Sequence, residues 1–422
     1  MTVLKLTAAQ AASAAAIQQA IDALAAEGGG QVILPAMDLV LDRGLELRSR
    51  IELIGQGERT VLRKARGRVY PLAGYHNYGM CDAPLRYTAG LEPGRTVALR
   101  DNTHGGFFET LARITWVEGD WVGLDQGLHA DYEADQEPSL VTAYPLIWGR
   151  GVEQVAVRHL TLDGNRAEQP AGIGACRGAA LYFIHSRQFE VEDVTERDFY
   201  GEGLGFQMCS HGRIRQCRFE HNAGNGYHPG AGSTAVLFED CVSERNDRDG
   251  FFFCVRANHI TVRGCRFERN HGSGLTVGTR DCNNLIENCH LGHNDGAGLL
   301  FRHATRPVEV YSCAVRGCTL EGNARLHGHG QIEVVGDAHD LALVGNTIRG
   351  LGDVERAGVY IMPTAERIWL ADNDIAGCFP DVVGRAACLT GQEPALECGL
   401  EVVREGHFRH LPFPSASAPH RS

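Results

Sequence analysis

A single-stranded, right-handed parallel β-helix is the fold class the sequence predicts: an all-β solenoid of ~24-residue rungs with an N-terminal capping α-helix. Three observations carry this. Four segments align without gaps at a period of 24 residues, CRFEHNAGNG from Cys217, CVSERNDRDG from Cys241, CRFERNHGSG from Cys265 and CHLGHNDGAG from Cys289. Short β-rich runs such as TAVLFED, HITVRG and VEVYS recur between clusters of Asn, Asp and Gly, which is strand and turn chemistry. An Ala-rich amphipathic segment with Ile17, Ile21 and Leu24 on one face precedes them all. One rung cannot bury its own apolar face, so stacked neighbours must supply the core.

The alignment defines three columns: Cys217, Cys241, Cys265 and Cys289; Asn222, Asn246, Asn270 and Asn294; and Gly226, Gly250, Gly274 and Gly298. Asp193 and Asp198 read as a weaker copy one period earlier, while Cys318, Asn323 and Gly330 continue the pattern after an insertion, and Asn346 and Asn373 mark two further rungs. A Cys repeated at one inward position is a small apolar filler. A stacked Asn at a turn bonds the turn backbone above and below it. Both columns are scaffold.

At the front, Thr7 with Gln10 reads as a capping box ahead of the helix, which ends at Gly28-Gly29-Gly30. Residues 1–65 are assigned to this cap and the first rungs. Residues 66–150 lose the period and alternate apolar positions, so they form a β-rich insertion flanking the groove. Rungs resume over 151–383, and 384–422 is a C-terminal extension whose Pro/Ser-rich end, LPFPSASAPHRS, is expected to be a mobile tail.

Bulk composition narrows the partners. With 422 residues, 43% hydrophobic and 22% charged, the chain is globular, and its formal net charge of −12 lacks the basic footprint of a nucleic-acid binder. No apolar run is long enough to span a membrane. The opening MTVLKLTAAQ has no basic region leading into an apolar stretch, and the fourteen Cys are spread through a long chain, so a cytoplasmic location with reduced thiols is expected. Lys5 and Lys64 are the only lysines, which leaves Schiff-base or lysine-base chemistry almost without a candidate.

From Gly28, the stretch GGGQVILPAMDLVLDRGLELRSRIELIGQG reads as strand, turn and strand in quick succession. Together with the helix before it, this segment resembles the entry of the pectate-lyase-like β-helix superfamily, in which an amphipathic helix, a GGG turn, a V-x-L-P strand and an L-x-G-x-G turn start the coil. The resemblance implies the fold and a carbohydrate-active enzyme, whose reactions vary widely across the superfamily. Polygalacturonases of this fold carry N-T-D, D-D, S-H-G and R-I-K motifs. Ser210-His211-Gly212 and Arg213-Ile214-Arg215 are a partial echo without the adjacent Asp pair. Inulin fructotransferases share the architecture, with no residue-by-residue match.

Strand parity sorts the segment after each ladder Gly. Tyr227 and Pro229, Phe251, Phe253 and Val255, Leu275 and Val277, and Leu299 and Phe301 point inward. Outward come Gln207, His228, Gly230, Gly232, Phe252, Cys254, Arg256, Thr276, Gly278, Arg280, Leu300 and Arg302. Small residues beside large cations read as a groove floor. Arg256 and Arg280 are one period apart and would stack about 4.8 Å from each other. Their partner is either a substrate carboxylate or an internal one from Asp281, Asp249 or Asp247.

These residues give the expected site. His228, Arg256 and Arg280 are candidate catalytic residues for β-elimination from a uronate, Arg256, Arg280 and Arg302 neutralising the carboxylate and His228 or an arginine removing the C5 proton. Asp247 and Asp249, together with Asp281, Glu202 and Glu333, are candidates for hydrolysis by paired carboxylates. Gln207, Phe252, Arg302, Asp281, Glu202 and Glu333 are assigned to substrate binding. No metal or cofactor is assigned: His327-Gly328-His329 lacks a Cys or carboxylate partner at ligand spacing, Cys313 with Cys318 reads as an extra rung position rather than a zinc knuckle, and calcium held by clustered Asp stays open. The expected function is cleavage of glycosidic bonds in oligosaccharides, lyase-type elimination favoured over a glycoside hydrolase or fructotransferase-type reaction, with a non-catalytic sugar-binding solenoid as the third reading. The expected partner is an oligosaccharide or polysaccharide, with no nucleic acid or membrane, and a homo-oligomer remains open.

Overall fold

The computed structural model describes residues 2–103, 108–173, 176–352 and 355–400. The chain coils into a parallel β-helix. One eleven-stranded parallel sheet runs its length in the order Leu45–Glu46, Ile147–Arg150, Ala179–Ile184, Glu202–Gln207, Tyr227–Gly230, Phe251–Phe252, Leu275–Val277, Leu299–Phe301, Gly330–Val334, Ala357–Ile361 and Val382–Val383. The remaining walls form a continuous parallel sheet of twenty-one strands. Successive coils bend between these walls through single left-handed residues stacked in register, Gln216, Asp240, Gly264, Asn288, Gly317, Gly345 and Asp372, with φ between 53° and 64°. Asp, Asn and Gly are the residues that tolerate this conformation best.

Inside, a continuous aromatic stack runs Phe183, Phe189, Phe206, Phe238, Phe251 and Phe253, with ring centroids 4.8–6.1 Å apart. The Cys column is buried as expected, and it continues beyond Cys318 as Asn346 and Asn373, since the Cys318 N–H donates to Asn346 Oδ1 and the Asn346 N–H to Asn373 Oδ1. The Asn column is a hydrogen-bonded ladder. The N–H groups of Asn222, Asn246, Asn270 and Asn294 each donate to the side-chain oxygen of the next member at 3.0–3.1 Å, ending on Asn323.

Three details of the repeat differ from the sequence reading. Strand register pairs Thr195 with Arg218, so that rung is 23 residues long and Val194 and Phe199, rather than Asp193 and Asp198, stand before Cys217 and Asn222. The two aspartates sit at left-handed corners instead. Leu299 pairs with Ile332, so Gln331 rather than Gly330 continues the Gly column, and its side-chain oxygen accepts from the Asn323 N–H and closes the ladder. The helix spans Ala14–Ala26 and its N-cap is Ser13, whose Oγ accepts from the Ala16 N–H. Thr7 and Gln10 do bond reciprocally, around the turn that precedes it. Ala14, Ile17, Ile21 and Leu24 face the coil's open end. No described helix is long and apolar enough to cross a membrane.

Between the first rungs, a six-stranded antiparallel sheet (Val69–Pro71, Asp82–Pro84, Thr96–Arg100, Thr110–Glu118, Trp121–Leu124 and Ser139–Val141) encloses its own core, which includes Tyr70, Leu99, Ile114, Val122 and Tyr132. Where it joins the coil, Lys64 is buried under the Tyr144 ring and donates to the Thr142 carbonyl and Gln169 Oε1. Burial pushes its ammonium down from 10.5 to about 7. Between those pH values the unfolded chain binds a proton that the folded chain does not, so stability contributed at this site rises with pH across the window and falls as pH drops toward 7. Urea midpoints from pH 7 to 10 are expected to show that slope in the native chain and a smaller one in Lys64→Met; identical slopes would refute it. At the other end, Leu400 packs on Ala235 and Leu237 and its N–H donates to Thr261. The expected mobile tail lies, from residue 401, outside the described residues.

Candidate active site

Two outward columns lie side by side on the eleven-stranded sheet. One reads Trp148, Tyr182, Gly205, His228, Phe252, Thr276, Leu300, Glu333 and Tyr360. The other includes Gln207, Gly230, Cys254, Gly278 and Arg302. Glycine in the second column makes room for long side chains: a Cβ on Gly278 would lie 2.0 Å from Arg302 Nη2, so the guanidinium crosses directly over it.

Arg302 is the cation on this face that the coil positions most tightly. Its Cζ lies 3.8 Å from the centroid of the Phe252 ring, a cation–π contact. Nη2 donates to the Phe253 carbonyl and lies 3.6 Å from Asp281 Oδ2, while Nε is buried with no hydrogen-bond partner among the described residues. Asp281 is fully buried and accepts from the N–H groups of Ala257 and Gly278, which fixes the corner beneath the arginine. Asp249 accepts from the Ser273 N–H at 2.6 Å and from Thr276 Oγ1 at 3.3 Å, and burial pushes its carboxyl up.

On the other flank of Phe252, with ring centroids 5.1 Å apart, stands His228. It is only 2% exposed. Nδ1 faces Glu202 Oε1 at 3.6 Å, longer than a hydrogen bond, and Nε2 lies 3.6 Å from Cys176 Sγ. Cys176 Sγ is in turn 3.8 Å from Cys254 Sγ. Burial alone would lower the imidazole, but the Glu202 carboxylate and the bond to Cys254 outweigh it and hold His228 up at about 9. The hydrogen bond from Cys176, helped by His228, holds the Cys254 thiol down at about 4 against its burial. Gln207, 2% exposed, has neither amide atom partnered among the described residues.

Glu202 links this cluster to a cavity of about 470 Å³ lined also by Arg100, Arg248 and Tyr200. Its other oxygen accepts from the Asn225 N–H at 2.8 Å. A second cavity, of about 230 Å³, opens between the insertion's Leu111, Gln126 and His129 and the sheet's Trp148, Arg150 and Tyr182.

The structure therefore gathers Gln207, Glu202, His228, Asp249, Phe252, Asp281 and Arg302, and leaves four of the expected residues elsewhere. Arg256 and Arg280 do stack, because the Arg256 N–H donates to the Thr279 carbonyl, but the strands end before them. Both are left-handed corner residues, exposed, and neither makes an ion pair with a described residue; Arg280 Nε donates to the Pro307 carbonyl. Asp247 pairs with Arg166 on the loop side. Glu333 accepts from the N–H groups of His329 and Gly330 and so holds its own turn. The enclosure of His228 also differs from the expected open base. Sequence reading set Cys254 outward without a role and passed over Cys176, which lies outside the period.

The chain belongs to the family described as the right-handed β-helix region, matched over residues 147–284, 179–348 and 231–381. Among solved structures it is similar to the A-modules of two mannuronan C-5 epimerases of Azotobacter vinelandii. With AlgE4 the identity is 18% over 90% of this chain and 95% of that one, at a TM-score of 0.52. With AlgE6 it is 17% over 90% and 96%, at 0.50. The protein ORF18 of Geobacillus virus E2 matches with 13% identity over 88% of this chain and 56% of that one, at 0.53. At these identities the likeness is one of fold. No curated protein matches the sequence.

Proposed function

We propose that this β-helix is a carbohydrate-active enzyme acting on acidic oligosaccharides, with lyase-type β-elimination at a uronate as its reaction. The observation that carries the reading is Arg302, stacked on Phe252 with a buried, unpartnered Nε. A buried donor without a partner is costly and is satisfied by a ligand acceptor. A uronate carboxylate supplies one, and its neutralisation by a preorganised cation stabilises the charge that develops when the C5 proton leaves. Phe252 offers an apolar surface to the sugar ring, and Glu202, beside His228 and lining the neighbouring cavity, is the carboxylate that takes the proton. The neighbouring cavity, with Arg100 and Arg248, suits further acidic units. Loss of the same proton opens the C-5 epimerisation for which two of the similar structures are named.

Hydrolysis is the second reading, favoured by one observation. Glu202 and Asp249 share a column with Asn225 between them, two rungs or about 9.5 Å apart along the stack. That is near the upper end of the ~6.5–9.5 Å separation of inverting carboxylates. Burial that keeps Asp249 protonated more readily suits a general acid.

Incubation with a panel of uronate-containing and neutral oligosaccharides separates the readings. Ultraviolet absorbance of an unsaturated uronate, with product masses summing to the substrate, supports elimination. Products heavier by one water support hydrolysis, and no turnover of any acidic substrate refutes the proposal. Gly278→Ala provides a further check: the methyl group displaces only the end of a flexible side chain, so the fold is expected to persist while affinity for the acidic substrate falls about tenfold or more, ~1.4 kcal/mol. Unchanged affinity in a folded variant would remove Arg302 from the account.

A further inference from the structure

We propose that Cys176, His228 and Cys254 are the three protein ligands of a tetrahedral Zn2+ site whose fourth position is open beside Gln207. This goes beyond the saccharide reading and does not rest on it.

The spacing of the donor atoms is the first argument. Zinc with Zn–S of about 2.3 Å and Zn–N of about 2.0–2.1 Å in tetrahedral geometry sets two sulfurs about 3.8 Å apart and a sulfur and a nitrogen about 3.6 Å apart. The observed separations are 3.8 Å for Cys176 Sγ to Cys254 Sγ and 3.6 Å for Cys176 Sγ to His228 Nε2. One ligand atom from each of the three residues lies within 4.8 Å of the others. Two thiols packed only for apolar filling have no reason to converge on an imidazole nitrogen, and the Cys column of the core meets none.

The surroundings supply the second argument. A zinc-bound histidine commonly directs its other ring nitrogen at a carboxylate, which fixes the tautomer and orientation. His228 Nδ1 faces Glu202 Oε1, leaving Nε2 for the metal. Two thiolates and one imidazole form the soft donor set that selects zinc over magnesium or calcium. Three protein ligands leave one position for water or a substrate atom, the arrangement of catalytic rather than structural zinc.

Gln207 marks the open side. It shares a column with Gly230 and Cys254, and the point a Cβ on Gly230 would occupy lies 2.8 Å from both Gln207 amide atoms and 2.9 Å from Cys254 Cβ. The glycine thus lets the glutamine and the cysteine face each other across one rung. Both amide atoms of this buried side chain lack partners among the described residues and can bond whatever fills the fourth position.

The test measures metal directly. Full-length protein purified without chelators is expected to carry about one zinc per chain by elemental analysis. After chelation, Co2+ is expected to restore the site with intense tetrahedral visible bands and a thiolate charge-transfer band. Cys254→Ser and His228→Ala are expected to weaken zinc binding by about 100-fold or more, and Glu202→Gln by roughly 10–100-fold, as loss of an outer-shell carboxylate does. Cys81→Ser, at an exposed cysteine far along the chain, should leave it unchanged. Absence of stoichiometric zinc together with no cobalt charge-transfer band overturns the proposal, as does a Cys176–Cys254 disulfide in freshly purified protein or full affinity in folded Cys254→Ser. Should a variant fail to fold, the metal content and cobalt spectrum of the native chain decide alone. No sugar enters these readouts, so they stand or fall apart from the activity.

Discussion

Arg302→Ala is expected to lower kcat/KM on acidic oligosaccharides by about 100- to 1000-fold, the usual cost of removing one preorganised donor from a developing negative charge. The guanidinium is held by the Phe252 ring, the Phe253 carbonyl and Asp281, so its position is set before substrate arrives. Arg302→Lys keeps the charge but loses the planar fork and the stacking, and is expected to recover only a small part of the activity. Asp249→Asn is expected to leave much of it under elimination. The reverse pattern, with Asp249→Asn inactive and Arg302→Ala active, would favour hydrolysis. Because Asp281 is fully buried beside Arg302, each variant needs a folding check by circular dichroism.

The second large effect concerns stability. Asn270 Oδ1 accepts from both the N–H and the Nδ2 of Asn246, and its own Nδ2 donates to the Ser243 carbonyl and to Asn294 Oδ1. All of these groups are buried. Asn270→Leu orphans the buried Asn246 backbone N–H, leaves the Asn246 amide to its bond with Ser243 Oγ, and breaks the side-chain bonds to the Ser243 carbonyl and Asn294; an unmet buried donor costs about 1–3 kcal/mol. A loss of about 2–5 kcal/mol is expected from urea unfolding, greater than for Cys265→Ala at a neighbouring inward position, where a small cavity opens and a weak thiol bond to the Arg263 carbonyl is lost. Because stacked rungs couple mainly to their neighbours, hydrogen exchange should show the loss concentrated around Asn246 and Asn270. A variant as stable as the native chain would mean that the ladder is not structural.

Much of the fold was legible because the repeat is exact in length over four rungs: once Cys217, Cys241, Cys265 and Cys289 align, the Asn and Gly columns follow, and stacking dictates a solenoid. The misreadings fall where length changes. A 23-residue rung shifts Asp193 and Asp198 off the columns, and the insertion before Gly330 shifts that residue by one. Those corner residues obey local backbone preference, which a fixed period cannot detect.

The site was legible as far as strand parity holds. Gln207, His228, Phe252 and Arg302 fall on the outward columns as parity predicts, because each lies on or directly beside a strand. Arg256 and Arg280 fail for the same reason that the others succeed: alternation was carried past Phe252 and Val277, where the backbone turns left-handed. Cys176 had no signal at all, since it precedes the regular repeat and meets Cys254 across 78 residues. Only the coiled chain brings it over His228.

The measurement that tests the saccharide reading most directly is calorimetric titration of the native chain with a uronate oligosaccharide and with a neutral one of equal length. Binding of the acidic ligand alone, weakened by salt and lost in folded Arg302→Ala, is the predicted result. Equal binding of the neutral ligand, or binding of the acidic one undiminished in Arg302→Ala, would contradict it.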